Sequence, residues 1–348
     1  MRQIQQEFLQ ANNTGTELSF KKAAMAKKSV KSRLIFGSLM ILVLGGLMWA
    51  DIHFYNAMNA MVKNSGEAGL SVMDCLLGHG LIITVLAALM ALGGSYEVIS
   101  LAKSTGAKPH SRVVIPGCVL LAIAPILIPF LPAILLPNSK ENFWLFPLIA
   151  DSGLWLGGLA MLAIVAQFIR KSTERAGTHV AWSVFTLLYM GLLIGYAVAV
   201  RRDFGPWMFI LMIAAVKGSD IGAYFTGINF GKRKLIPWLS PGKTVEGFIG
   251  AIIFSTIITL IFCYILRIIN VNTVLTGVNF FALMFMGMSF AVVGHLGDLA
   301  ESLLKRDANV KDSAHLLPEF GGVLDLVDSI LPTGLMWFVI LTFIRFIG

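Results

Sequence analysis

The sequence is short of charge. Only 13% of its 348 residues are Asp, Glu, Lys or Arg, and 57% are hydrophobic. A soluble domain carries roughly 25% charged and 45–50% apolar residues, so an ordinary water-soluble globule is excluded. Cysteine is scarce as well. Cys75, Cys118 and Cys263 lie far apart, in or beside apolar runs, with no CxxC or Cys/His spacing. That excludes a disulfide framework and a zinc-ligand set. The long polar lead, with no small-residue cleavage site close behind it, argues against a cleaved signal peptide.

What the chain does have is apolar length. Mean hydropathy is +0.80, and about nine segments approach the roughly 20 residues that cross a bilayer core. They run 34–51, 80–101, 112–136, 144–169, 180–199, 206–228, 246–267, 278–299 and 329–347. Lipid-spanning segments must satisfy their own backbone polar groups, so the expected fold class is all-α, a polytopic helical membrane protein. Three regions follow: a basic cytosolic tail at 1–33, N-terminal transmembrane helices over 34–200, and a C-terminal membrane region over 201–348 with cytosolic loops at 231–245 and 303–328.

The basic residues set the expected orientation. With the N-terminus cytosolic, the inside loops hold the tail lysines, Lys103, Lys108 and Arg112, Arg170, Lys171 and Arg175, Lys232, Arg233, Lys234 and Lys243, and Lys305, Arg306 and Lys311. The outside holds only Lys63, Lys140, Arg201, Arg202, Arg267 and Arg345. This is the positive-inside pattern, with Arg201–Arg202 as its local violation. The net charge of +8 is thereby explained by topology, and no nucleic-acid partner is expected.

Acids within or beside spans are costly in lipid and usually functional. Glu97, Asp151, Asp220, Asp298 and Glu301 occupy such places, and Asp325 and Asp328 precede the last span. Asp298, Glu301 and Lys305 share one helix face by their spacing of three and four. Residues 305–312, KRDANVKD, hold five charges in eight positions. An ion-pair network would account for them. So would Mg²⁺ with a phosphate-bearing substrate, because Mg²⁺ takes one or two carboxylates and fills its remaining positions with water and phosphate oxygens. PGKT at 241–244 does not read as a P-loop: Pro237 stands where the first glycine is needed, and no strand is expected before it. Gly321–Gly322 breaks the chain before the last span. His295 and His315 read as hydrogen-bonded structural residues.

The segment SLLKRDANVKDSAHLLPEFGGVLDLVD (302–328) resembles the signature of the phosphatidate cytidylyltransferases, or CDP-diacylglycerol synthases. Ser302, Lys305, Arg306, Lys311, Asp312, Ala314, Leu317, Pro318, Gly321, Gly322, Asp325 and Asp328 fall in register. A second block, SDIGAYFTGINFGKRKLIPWLSPGKTVEGFIG (219–250), is similar to the family's segment before that signature. Phe320 and Leu326 depart from the pattern, which has histidine and arginine there. The detailed resemblance covers about the last 130 residues.

The resemblance implies transfer of CMP from CTP to phosphatidate, giving CDP-diacylglycerol and pyrophosphate, in an integral membrane protein whose site faces the cytosol. It implies metal ligands at Asp298 and Asp325 for Mg²⁺, with a monovalent cation such as K⁺ beside it. Catalytic roles fall to Lys305, Arg306, Lys311, Asp312 and Asp328, and substrate contacts to Ser302, Lys243, Asp220, Gly321 and Gly322. Partners would be CTP, phosphatidate and membrane lipid, with a homodimer left open. Three other readings stand beside this one: a cation-coupled secondary transporter using Glu97, Asp151, Lys217 and Asp220, a CTP-dependent polyprenol or phytol kinase, and a catalytically impaired paralogue.

Overall fold

A computed structural model describes residues 42–64, 76–127, 152–310 and 321–347. The tail at 1–33, Cys75, Asp151, Lys311, Asp312 and Phe320 lie outside the described residues, as do parts of the first, third and fourth expected spans.

The described residues are all-α apart from one hairpin. We number the helices α1 (42–64), α2 (Leu81–Ser104), α3 (Ser111–Leu127), α4 (Ser152–Arg170), α5 (Ala176–Phe204), α6 (Pro206–Phe230), α7 (Val245–Ile268), α8 (Phe280–Asp307), α9 (Val323–Val327) and α10 (Ile330–Ile347). Helix α5 carries a π-helical stretch at Leu187–Leu192. Strands β1 (Lys234–Ile236) and β2 (Ser240–Thr244) pair antiparallel between α6 and α7, so, against the sequence reading, a short strand does precede PGKT.

Among the described residues, six helical stretches are long and apolar enough to cross a membrane: α2, α5, α6, α7, α8 and the combined α9–α10 segment, Val323–Ile347. Helices α3 and α4 are shorter and apolar. The protein is therefore an all-α polytopic membrane protein. Some boundaries differ from the sequence reading. Helix α1 runs on to residue 64, beyond the apolar run that was expected to end at 51. Helix α6 is continuous over 25 residues with Lys217 and Asp220 inside it, in line with the expected 206–228 segment.

Local sequence explains where the site-bearing helices begin. Helix α6 opens on Gly205–Pro206, the proline filling a first-turn position where its missing N–H is no loss. Thr244 caps α7, its hydroxyl accepting from Gly247 N at 3.1 Å. Asn279 caps α8 by accepting from Ala282 N at 2.8 Å. Such caps satisfy backbone donors that a helix start leaves without partners.

Two apolar cores hold the bundle. The first joins Val98, Leu121, Leu187 and Met190 to Ala308, Leu324, Val327 and Leu331, so it draws on residues from both sides of position 200. The second gathers Met208, Leu211, Met212, Phe290 and Trp337. Trp337 is fully buried, lies 4.8 Å from the Phe290 ring and donates its indole N–H to the Met208 carbonyl at 3.0 Å. Large apolar side chains such as Ile253, Ile257 and Tyr264 on α7, and Phe281 and Phe285 on α8, are left exposed, as helix faces turned to lipid are.

Arg201, the topological misfit, is completely buried. It pairs with buried Asp51 of α1, donates to the Gly78 carbonyl at 3.3 Å and lies 5.3 Å from the centre of the Tyr55 ring. Arg202 bonds Asp203 and the Pro125 carbonyl. These arginines are structural ties between helices, which is why a rule about loop charge does not describe them.

Candidate active site

Helix α8 supplies the floor of the site. Its periodicity puts Asp298, Glu301 and Lys305 on one face. Asp328, in the turn between α9 and α10, approaches that face because Gly297 leaves room: a Cβ on Gly297 would lie 2.3 Å from the Asp328 carbonyl oxygen. Carboxylate oxygens of Asp298, Glu301 and Asp328 all lie within 4.8 Å of one another. Glu301 and Asp328 are buried and Asp298 is partly exposed. Asp328 also accepts from Ser329 N at 2.5 Å and from the Ser329 hydroxyl at 3.0 Å.

Lysines come in from two sides. Lys305 Nζ lies 3.1 Å from Glu301 and 2.7 Å from Asp325 Oδ1. Lys243, at the end of β2, lies 2.7 Å from Asp298 Oδ2. The Thr244 cap fixes the start of α7, and so fixes where Lys243 can reach. Lys217 of α6 lies 3.6 Å from Asp220 and donates to the Leu326 carbonyl at 3.3 Å. Arg306 Nε lies 3.4 Å from the Leu239 carbonyl of the hairpin.

Short helix α9 is built to present acids. Gly321 has φ 86°, and a Cβ there would sit 2.7 Å from Asp325 Oδ2. Both facts require glycine. Asp325 Oδ2 accepts from Gly322 N at 2.7 Å. Beyond it, Glu97 from α2 accepts from Val323 N at 2.7 Å through one carboxylate oxygen and from Leu324 N at 2.9 Å through the other. Two carboxylates therefore satisfy three donors at one helix start, where negative charge is also favoured by the peptide dipoles.

The structure brings together Asp298, Asp325, Asp328, Lys243, Lys305, Gly321 and Gly322 from the sequence-derived set. Asp220 stands beside it, joined to Lys217. Ser302 is half-buried on α8, and Lys311 and Asp312 lie outside the described residues. The three acids gathered within 4.8 Å are Asp298, Glu301 and Asp328, whereas Asp325 is engaged by Lys305 and Gly322. Asp325 also hydrogen-bonds Glu301, so it adjoins the cluster that contains Asp298. Sequence reasoning marked Glu301 as a costly acid but gave it no role. Its spacing of three from Asp298 was the available signal. It gave Glu97 only a transporter role, because nothing in the sequence says that its partners are backbone groups 226 residues away. His295 is buried and packs edge-on to Phe248 at 5.1 Å.

Acids and lysines gathered between membrane helices, beside a glycine turn, define a membrane enzyme site suited to cations and phosphates. The comparisons agree with that class. The sequence profile of the Cytidylyltransferase family matches residues 66–344, and the chain belongs to that family. It is 33% identical over 232 residues to the phosphatidate cytidylyltransferase of Mycobacterium bovis, covering 62% of this chain and 72% of that protein. It is also 33% identical over 174 residues to the phosphatidate cytidylyltransferase of Bacillus subtilis, 49% of this chain and 62% of that protein. The one from Haemophilus influenzae is 43% identical over 126 residues, 36% of this chain and 42% of that protein.

Proposed function

We propose that this chain is a phosphatidate cytidylyltransferase: it transfers CMP from CTP to phosphatidate, giving CDP-diacylglycerol and pyrophosphate. The observation that carries the reading is the convergence of Asp298, Glu301 and Asp328 with Lys243 and Lys305, in a chain that belongs to the cytidylyltransferase family.

The reaction joins two anions. A phosphate oxygen of phosphatidate attacks the α-phosphorus of CTP. The bond from that phosphorus to the β-phosphate oxygen breaks, and pyrophosphate leaves with the electron pair. No covalent enzyme intermediate is needed, because the acceptor is already an ionised phosphate. The residues must neutralise charge and align the two phosphates. Lys243 is suited to the triphosphate, since the hairpin holds it at the mouth of the site. Lys305 is held between Glu301 and Asp325 and offers its charge to the reacting phosphates. Lys217 supplies a cation beside Leu326, where the chain departs from the family signature. Arg306 adds basic charge, Ser302 offers a hydroxyl and Asp220 borders the site, while Lys311 and Asp312 take catalytic roles on the family resemblance alone.

The donor set fits Mg²⁺: three carboxylates with hard oxygen ligands, two of them buried, in excess of the two lysines that touch the cluster. Asp298, Glu301 and Asp328 would hold the ion, and Asp325 would steady Lys305. A bound Mg²⁺ supplies charge neutralisation at phosphate oxygens. The reading further takes nine crossings in all, an N-terminus in the cytosol and a site open to cytosolic CTP.

The test uses CTP labelled at the α- or the γ-phosphate, with phosphatidate in detergent micelles. The reading requires α-label in lipid and γ-label in pyrophosphate. Transfer of the γ-label to lipid would instead identify a kinase.

A further inference from the structure

The β1–β2 hairpin has two unlike faces. One is fixed to the protein. Leu239 is buried, its carbonyl lies 3.4 Å from Arg306 Nε, and Lys243 reaches Asp298 at 2.7 Å. Glu246 accepts from Lys232 N at 3.0 Å and Arg233 N at 3.1 Å, which fixes the entry to the hairpin. The other face is open. Trp238 at the tip is 76% exposed, Phe230 is 68% exposed, and Lys232 and Lys234 are exposed beside them.

The hairpin joins α6 to α7, two helices that can each cross a membrane. The connection, residues 231–244, is short enough to lie along the membrane surface. Tryptophan at that level buries its ring among headgroups and keeps its N–H wet. Lysines at that level attract anionic lipid. We propose that the hairpin is a membrane-surface anchor: Trp238 and Phe230 sit in the interfacial layer, Lys232 and Lys234 meet anionic headgroups, and the seated hairpin keeps Lys243 over the carboxylates. Leu239 inward and Trp238 outward make one short segment touch both site and bilayer. The proposal depends on the membrane placement of α6 and α7, not on the reaction.

The test places a nitroxide at Trp238→Cys in full-length protein whose Cys75, Cys118 and Cys263 are replaced by alanine. The protein is held in nanodiscs of phosphatidylcholine, with or without phosphatidylglycerol. A second label at Ile257→Cys, on the exposed face of α7, reports whether the bundle is folded in lipid. We expect the label at 238 to be reached by oxygen, shielded from a water-soluble nickel reagent, and drawn deeper when phosphatidylglycerol is present. Combining Lys232→Gln with Lys234→Gln removes that lipid-dependent shift. A label at 238 that the nickel reagent reaches freely in both membranes, while 257 remains in lipid, overturns the proposal. So does shielding that arises only on adding CTP with Mg²⁺, which would make Trp238 a stacking surface for the base.

Discussion

Replacing Glu97 by alanine removes the acceptor for two backbone donors at the start of α9. The bonds to Val323 N and Leu324 N are 2.7 and 2.9 Å long, and Glu97 is buried. Hydrogen bonds to a charged group contribute about 1.5–3 kcal/mol each, and a buried donor left without a partner costs about 1–3 kcal/mol. The two donors adjoin, so their losses overlap, and a total of about 2–4 kcal/mol is expected. Asp325 lies one residue beyond Leu324, and Asp328 three beyond that. Displacement of α9 therefore loosens Lys305 and the carboxylate cluster together. If about 1.4 kcal/mol of the loss falls on the transfer step, the rate drops about tenfold. Glu97→Gln keeps the shape but replaces one acceptor oxygen by a donor, so an intermediate loss is expected. The assay is CMP transfer from labelled CTP across a Mg²⁺ titration, beside the unfolding midpoint in detergent. A purely structural role lowers the midpoint and leaves the Mg²⁺ dependence where it was. A positioning role moves both. Wild-type rate, Mg²⁺ dependence and midpoint in both variants would refute the reasoning.

Three further outcomes follow from the same geometry. Gly321→Ala forces a side chain into a positive-φ turn, at about 1–2 kcal/mol, and crowds Asp325; transfer activity should fall more than the unfolding midpoint does. Asp51→Ala leaves the Arg201 charge buried without its partner and should destabilise the protein by about 3–5 kcal/mol, whereas Asp51→Leu with Arg201→Met should recover most of the loss; unfolding midpoints of the three variants decide this. His110, in the turn before α3, is held below the usual histidine range, by burial first and by the Arg170 charge next. Its folded form prefers the neutral ring, so stability is present above the unfolded value of about 6.5 and declines as pH falls below it; His110→Asn should flatten that part of the melting profile.

Much of the site is legible in the sequence because lipid makes charge expensive. Asp298, Lys305, Asp325 and Asp328 stand out in a chain that is 13% charged, and their spacing near Gly321–Gly322 carries the family signature. The spans are legible for the same reason, though not every end is: α1 continues past its apolar run. What the sequence does not reveal is pairing at a distance. Glu97 looks like a lone intramembrane acid until its backbone partners are seen. Arg201 looks like a misplaced loop charge until Asp51 is found beside it. Which acids form the cluster also depends on the close passage of Gly297 against the Asp328 carbonyl, a contact that no local pattern encodes. The hairpin is hidden for another reason: its strands of three and five residues are too short for alternation to be read.

The central claim is that Asp298, Glu301 and Asp328 hold a divalent cation for transfer to phosphatidate. Mn²⁺, read by electron paramagnetic resonance in detergent, substitutes for Mg²⁺ and reports binding without turnover. The account predicts saturable Mn²⁺ binding to the wild-type protein, displaced by Mg²⁺, and weakened at least tenfold in Glu301→Gln and Asp328→Asn while both variants keep the wild-type unfolding midpoint. Equal Mn²⁺ binding in the folded wild type and in both variants would contradict it.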